Sequence, residues 1–511
     1  MERLSEEAYR SGVKLQASVL VENPPSKSIA LKQPRPGIRI LNLAYLAAPV
    51  IAIGSWLFAI RVPLWLDETV SYWQSSGGFG QLWARQGLSF PAYTCILWIS
   101  RHVLGSSEIA LRIPSIIAMV AAVYVLYRIA REFFDDDVSV IVTSVFCVYP
   151  TVAFAAIDAR PYAFGMLTVN CAVLSFLRWM RTRETRWAIA AGVTAGFIFY
   201  FQYLFGTLLV AFALLMFVRG ERWKGFWLQL SKALVAFAMV MLPIVSRLVY
   251  LFRTRQSHVF ASAPDLAFLQ YLFTPGYALP LFGLAALIAA VIGGFRAPAR
   301  ITRQQGAACL LLASVPVAIL YGVSILTPLH IFVGRYLLAA VPGIALCWGL
   351  LLSQINSRAL RLLFCLALIA LAGRDQFNYP SHGYTWKYAI DVANQNTAED
   401  HAPVLMCSDL PEADHEPMPK DVTQSWLFAP VSYYKLSSPV VPLPRTLNEE
   451  ARSQVSKFLA GEAPARRRFL LLAYWPSHAI VGHLWRVTRD SYTPRTLGVY
   501  DGVSVIEYVP R

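Results

Sequence analysis

Residues 109–130 read IALRIPSIIAMVAAVYVLYRIA, with charges only at Arg112 and Arg128, near the two ends. A helix that crosses a bilayer needs about 20 predominantly apolar residues, and this stretch supplies them. Outward from it the pattern repeats. Further apolar runs lie near 40–60, 138–153, 161–179, 187–202, 203–218, 228–250, 278–295, 307–326, 332–352 and 359–373. The chain therefore reads as an all-α polytopic membrane domain of about 11 transmembrane helices.

Composition agrees. Of 511 residues, 56% are hydrophobic and 15% charged, against roughly 25% charged in a soluble domain. That excludes a string of soluble domains, and it excludes disorder over most of the chain. The seven cysteines include no CxxC pair and signal neither zinc nor a disulfide framework.

Basic residues set the orientation. They cluster as Arg178, Arg181, Arg183 and Arg186, as Arg219, Arg222 and Lys224, as Arg296, Arg300 and Arg303, and as Arg358 and Arg361. With alternating spans these fall on one side, which is expected to be cytoplasmic. The polar tail 1–39, broken by Pro24, Pro25, Pro34 and Pro36, is expected to be disordered on the same side. Residues 40–373 form the membrane domain. Residues 374–511 hold no run long enough to span. Strand-like Pro403–Cys407, Phe469–Tyr474 and Val503–Val509 alternate there with helical 385–394, 425–436 and 449–459. That predicts a C-terminal extracytoplasmic α/β domain. The net charge is +15, from 45 Lys and Arg against 30 Asp and Glu. The excess sits in the tail and loops while residues 374–511 are nearly neutral, which makes it a topology signal and removes support for nucleic acid as a partner.

Chemistry-bearing residues collect in the loops of the opposite, extracytoplasmic face. The loop 61–108 opens with PLWLDETVSYW (63–73), two adjacent carboxylates between tryptophans that mark the membrane interface. A carboxylate held there is a candidate proton acceptor. The next pieces are Glu108 to Ser115, containing Arg112, then Asp158-Ala159-Arg160-Pro161-Tyr162, then Phe199 to Tyr203 with Gln202. Last come the loop from Arg253 to Tyr277, with Arg255 and His258, and His330 to Tyr336 with Arg335. An arginine at the start of a span is costly unless it is paired, faces water or meets an anion. Two carboxylates on this face can activate a hydroxyl, and several Arg and His residues can hold a phosphate.

Asp67-Glu68, Pro91-Ala92-Tyr93, Glu108 to Ser115, Asp158 to Tyr162 and Arg335-Tyr336 recur in this order in a known group. The chain resembles the bacterial branch of glycosyltransferase family 39, related to protein O-mannosyltransferases and to the lipid A aminoarabinose transferase, all of the GT-C fold. The resemblance is best over about residues 40–205 and thins toward 345. It departs from the common pattern at Ser89-Phe90-Pro91-Ala92, where many members have His or Lys before two prolines. The resemblance implies a multi-pass enzyme of the bacterial inner membrane, with its N-terminus cytoplasmic. It would transfer a sugar from a polyprenyl-phosphate donor to an acceptor hydroxyl on the extracytoplasmic face, inverting the anomeric carbon. The acceptor is a protein, a glycan or a lipid.

On that reading Asp67 is the general base, and Glu68 its neighbour, tuning it or positioning the acceptor. Arg335, with Arg253, Arg255 and His258, is the phosphate candidate. Arg112, Asp158, Arg160, Tyr162, Gln202, Tyr203, His330 and Tyr336 complete the expected contacts to donor or acceptor. No cofactor and no metal site is signalled, and a divalent cation between Asp67 or Glu68 and the donor phosphate is compatible with the sequence. A lipid flippase or transporter would place ionisable residues near the bilayer midplane, whereas here they cluster at span ends. A non-catalytic envelope scaffold would leave Asp67→Asn silent.

Overall fold

The protein is described by a computed structural model covering residues 36–82, 91–219, 223–254, 264, 266–274, 276–295, 302–378, 384–462 and 467–511. Residues 1–43 form one unit and 44–511 another. Of the first unit, the described part is the start of helix Pro36–Ser55. Most of the expected tail thus lies outside the described residues, and helix begins a turn earlier than expected. Pro36 suits that position, since a first-turn residue has no intrahelical use for its N–H.

All eleven apolar stretches are helical, but eleven crossings are not confirmed. Among the described residues, six helices are long and apolar enough to cross a membrane: Leu41–Ala59, Glu108–Ala130, Tyr162–Thr182, Phe226–Arg253, Arg303–Leu326 and Gly334–Ser353. Helices Asp136–Cys147 and Pro150–Ala156 meet at 73° and would make a seventh as one broken span. Asp135 caps the first of this pair by accepting from the Val138 N–H at 2.9 Å, and Pro150 opens the second. Thr185–Ile198 and Ala278–Val291 have 14 residues each. At 1.5 Å per residue they cover about 21 Å, short of a hydrocarbon core of about 30 Å. Arg358–Asn378 is longer, yet carries Arg358, Arg361, Arg374 and Asp375. Apolar composition does not by itself separate a crossing from a short helix packed among crossings.

Small residues and buried amides join the membrane helices. A Cβ on Gly343 would come within 2.4 Å of the Ala313 nitrogen, so the helices of these two residues touch backbone to backbone. Asn170 Nδ2 donates to the Ala122 carbonyl at 2.8 Å between two other spans.

The described strands all lie beyond residue 403. They are β1 (Val404–Cys407), β2 (Val440–Leu443), β3 (Phe469–Tyr474), β4 (Tyr492–Tyr500) and β5 (Val503–Pro510). Their order is β2-β1-β3-β5-β4. β1 runs parallel to β2 and β3, while β5 is antiparallel to β3 and β4. Side chains alternate between faces. Leu405, Cys407, Phe469 and Leu471 pack with Val455 and Leu484 of two flanking helices. Val404, Met406, Leu470 and Leu472 pack on the other face with Ile390 and Phe428. Three strands agree with the sequence reading in place and type, β1, β3 and β5, and helices Lys387–Thr397, Ala429–Tyr434 and Glu449–Glu462 fall on the three expected helical stretches. β2 and β4 escape it, because both are edge strands with a proline (Pro442, Pro494) and β4 has an irregular register around Gly498.

The second core contains residues from the far end of the chain. Leu66, Val70 and Trp73 of helix Leu66–Gln74 are part of it. Their i, i+4, i+7 spacing puts them on one helical face. Trp73 Nε1 donates to the Thr423 carbonyl at 3.1 Å. Thr385 Oγ1 and the Tyr434 hydroxyl both donate to the Leu64 carbonyl, at 2.9 and 3.2 Å. The first loop of the membrane domain and the C-terminal sheet are therefore one packed body.

Candidate functional site

Trp65 precedes helix Leu66–Gln74, and two acidic residues occupy its first turn, where the helix dipole favours negative charge. Their side chains diverge. Glu68 is fully buried, as is Arg112. Arg112 Nε donates to Glu68 Oε1 at 2.8 Å and Nη2 to Oε2 at 2.6 Å, a bidentate pairing. The same carboxylate accepts from the Ala159 N–H at 2.8 Å and the Trp65 N–H at 3.2 Å. Arg112 also donates to the carbonyls of Ile60 and Val62, at 2.9 and 2.6 Å. The pair knots three segments that are distant in sequence. Neither residue lines the cavity described next, so neither the expected catalytic role of Glu68 nor the substrate contact of Arg112 has geometric support. Asp158 belongs to the same buried layer, accepting from Trp65 Nε1 at 3.0 Å.

Asp67 faces the other way, into a cavity of about 410 Å³. Its Oδ2 lies 3.2 Å from Arg335 Nη1 and 3.7 Å from Arg160 Nη2. Arg160 Nη1 also donates to the Asp67 carbonyl and the Ser71 hydroxyl, at 3.3 and 3.2 Å. Arg335 is flanked by the rings of Trp65 and Tyr336, each 5.5 Å from its guanidinium carbon. Cation–π contact of this kind fixes a guanidinium without consuming its donors. Tyr162, Gln202, Tyr203 and Tyr336 line the same cavity.

Seven expected residues therefore meet: Asp67, Arg160, Tyr162, Gln202, Tyr203, Arg335 and Tyr336. Five others do not join them. Besides Glu68, Arg112 and Asp158, His330 stands aside, its Nδ1 3.1 Å from the Ser324 carbonyl. Arg253 is exposed at the end of its helix and does not line the cavity. Arg255 and His258 lie outside the described residues.

The other wall of the cavity comes from the C-terminal region and is absent from the sequence reading. Tyr384, Asp409, Glu412, Arg445 and Tyr474 line it. Burial, opposed by the Tyr384 hydroxyl and by Arg445, pushes the Asp409 carboxyl up to about 6. Tyr384 and Tyr474 stack with centroids 4.5 Å apart. The nearest local signal is Ser408-Asp409-Leu410 directly after an apolar strand, but nothing in it names the partner segments. Among the described residues, no group of three or more His, Cys, Asp or Glu side chains is placed to hold a metal ion.

Comparison with known proteins bears on this geometry. Residues 90–250 match the family model of dolichyl-phosphate-mannose-protein mannosyltransferases. The chain is similar in structure to ArnT from Cupriavidus metallidurans, in its apo state and bound to undecaprenyl phosphate. In both cases the TM-score is 0.54 at 12% identity, over 92% of this chain and 98% of that chain. The arabinofuranosyltransferase AftD from Mycobacteria aligns with 93% of this chain and 40% of its own, at 12% identity and a TM-score of 0.49. No curated protein matches the sequence. The fold is that of the GT-C membrane glycosyltransferases, as the order of motifs implies.

Proposed function

We propose that this chain, a GT-C fold glycosyltransferase, moves a sugar from a polyprenyl-phosphate donor to an acceptor hydroxyl on the extracytoplasmic face, with inversion. The observation that carries the reading is Asp67, a carboxylate opening into the cavity with the guanidiniums of Arg160 and Arg335 beside it. A lipid phosphate is a dianionic leaving group. It needs positive charge more than a proton, and two fixed guanidiniums supply it without reorganisation. ArnT binding undecaprenyl phosphate supports the same class of donor here.

The acceptor oxygen forms the new bond to the anomeric carbon as the bond from that carbon to the phosphate oxygen breaks. The hydroxyl proton passes to Asp67, and the electron pair of the broken bond leaves on the lipid phosphate, facing Arg335 and Arg160. Each guanidinium has five N–H donors, so a phosphate can share them with Asp67. Tyr203 and Tyr336 line the cavity beside these arginines as hydroxyl donors for the same phosphate. Among the described residues no group of three or more His, Cys, Asp or Glu side chains is placed to hold a metal ion, and no step is assigned to a divalent cation.

The test is sugar transfer by purified protein in nanodiscs supplied with polyprenyl-phosphate sugars and candidate acceptors. Asp67→Asn is expected to lower turnover about 10²–10⁴-fold, the usual worth of a positioned base. Arg335→Ala is expected to impair binding of the lipid phosphate as well as turnover. Full activity in Asp67→Asn would overturn the base assignment. A flippase or scaffold reading predicts no sugar transfer from any donor and no effect of either substitution.

A further inference from the structure

Asp409 lies two residues beyond the end of β1, Arg445 two residues beyond the end of β2, and Tyr474 is the last residue of β3. These three strands are mutually parallel, with β1 central. In open parallel sheets the crevice outside the carboxyl ends of the strands is where ligands bind. Here that crevice opens into the cavity that holds Asp67.

Its polar groups are incomplete without a ligand. Asp409 is 5% exposed and its Oδ2 has no hydrogen-bond partner among the described residues, although Tyr384 bonds to the carboxylate. Arg445 Nε is likewise buried without a hydrogen-bond partner there. A buried polar atom left unmade costs about 1–3 kcal/mol, so an orphan acceptor and an orphan donor lining one cavity ask for a ligand that donates and accepts. A hydroxyl does both. A second phosphate would meet the carboxylates of Asp409 and Glu412, and an ammonium would meet Arg445. A ring bearing adjacent hydroxyls is opposed by neither charge.

We infer that the crevice at the carboxyl ends of β1, β2 and β3 is a glycosyl subsite, where Asp409 accepts from and Arg445 donates to the hydroxyls of the sugar carried by the lipid phosphate. The inference rests on the lipid-linked donor proposed above. Arg160 and Arg335 hold the phosphate from the membrane side, and the sugar one bond away reaches the sheet, beside the stacked Tyr384 and Tyr474. The C-terminal region then selects which sugar is transferred.

The experiment is native mass spectrometry of the full chain in nanodiscs with undecaprenyl phosphate, bare or carrying mannose, glucose or galactose. The wild type is expected to bind one glycosylated form more tightly than the bare lipid. Asp409→Ala and Arg445→Ala are each expected to weaken that form by about tenfold, the loss of one hydrogen bond to a charged group, and to leave bare undecaprenyl phosphate unaffected. Asp409→Asn, which keeps an acceptor, recovers part of the loss. Wild-type affinity for the glycosylated form in both alanine variants would overturn the subsite, as would equal losses for bare and glycosylated lipid, or a wild type indifferent to all three sugars. A wild type that does not bind even bare undecaprenyl phosphate would instead overturn the donor reading on which the subsite rests.

Discussion

A buried carboxylate survives folding only if its charge is met, and Glu68 is met by Arg112 through two hydrogen bonds of 2.8 and 2.6 Å. Removing one partner strands the other in low dielectric, at a cost of about 3–5 kcal/mol. Glu68→Ala is therefore expected to unfold at a lower temperature by that measure in detergent or nanodisc melts. Asp67→Asn, one position earlier, is expected to spare folding far more than turnover. An unchanged melt for Glu68→Ala would refute the structural role.

Asp409 behaves differently. Its carboxyl is raised from the ordinary 3.8 to about 6, chiefly by burial. The folded state then holds the proton more tightly than the unfolded chain, so ionisation penalises folding. The penalty is absent below the ordinary value, grows as pH rises between the two, and is complete above about 6. Tyr384, Arg445 and Asp67 are the groups that face it. Relative to wild type, Asp409→Asn is expected to gain stability across that window, reaching about 2–3 kcal/mol. Parallel melting curves for the two proteins from acid to neutral pH would contradict this.

Among the elements, helix Leu66–Gln74 has two employers. Leu66, Val70 and Trp73 are buried in the sheet's core, and Leu66 and Val70 also line the cavity beside Asp67 and Gln74. Placing the carboxylate thus depends on packing made by its neighbours. Trp73→Ala removes a 7% exposed indole and its bond to the Thr423 carbonyl, which should cost about 3–5 kcal/mol. Limited proteolysis should show the C-terminal region cut faster in this variant, together with reduced transfer. Wild-type resistance would mean that the helix docks by other contacts. In the sequence Trp65 and Trp73 bracket two acids and are expected to mark the membrane interface, whereas in the structure both are buried in protein, Trp73 in the sheet's core. The sequence does not show which side of the helix is buried, since the surface it packs on is assembled from residues 386–505.

Across the whole molecule, the membrane half of the site is legible in sequence, and the sheet half is not. Asp67, Arg160, Gln202 and Arg335 stand at span ends on one side, so counting spans and basic loops is enough to gather them. That result tolerates error in the count: short helices such as Thr185–Ile198 still reverse the chain direction. Asp409, Arg445 and Tyr474 converge only through parallel strand pairing, whose partners are joined by crossovers rather than local turns. Orientation belongs at this scale too. Lys420 is exposed on the C-terminal region, and Lys420→Cys is expected to react in intact cells with a membrane-impermeant maleimide, with the wild-type chain as the blank. Labelling only after lysis would put the sheet, and the site with it, in the cytoplasm.

The docking of Trp73 against Thr423 spans 350 positions of chain. At about 5–20 residues per second, translation needs roughly 20–70 s to cover that interval. Throughout it the Leu66–Gln74 helix has no core to enter, and Leu66, Val70 and Trp73 must wait against lipid headgroups or a chaperone. Asp67 gains its final position only after the last strands have left the ribosome. The newborn enzyme is inserted in the bilayer well before it can act, so a chain truncated by a late stop codon would reach the membrane, expose an apolar helix and transfer nothing.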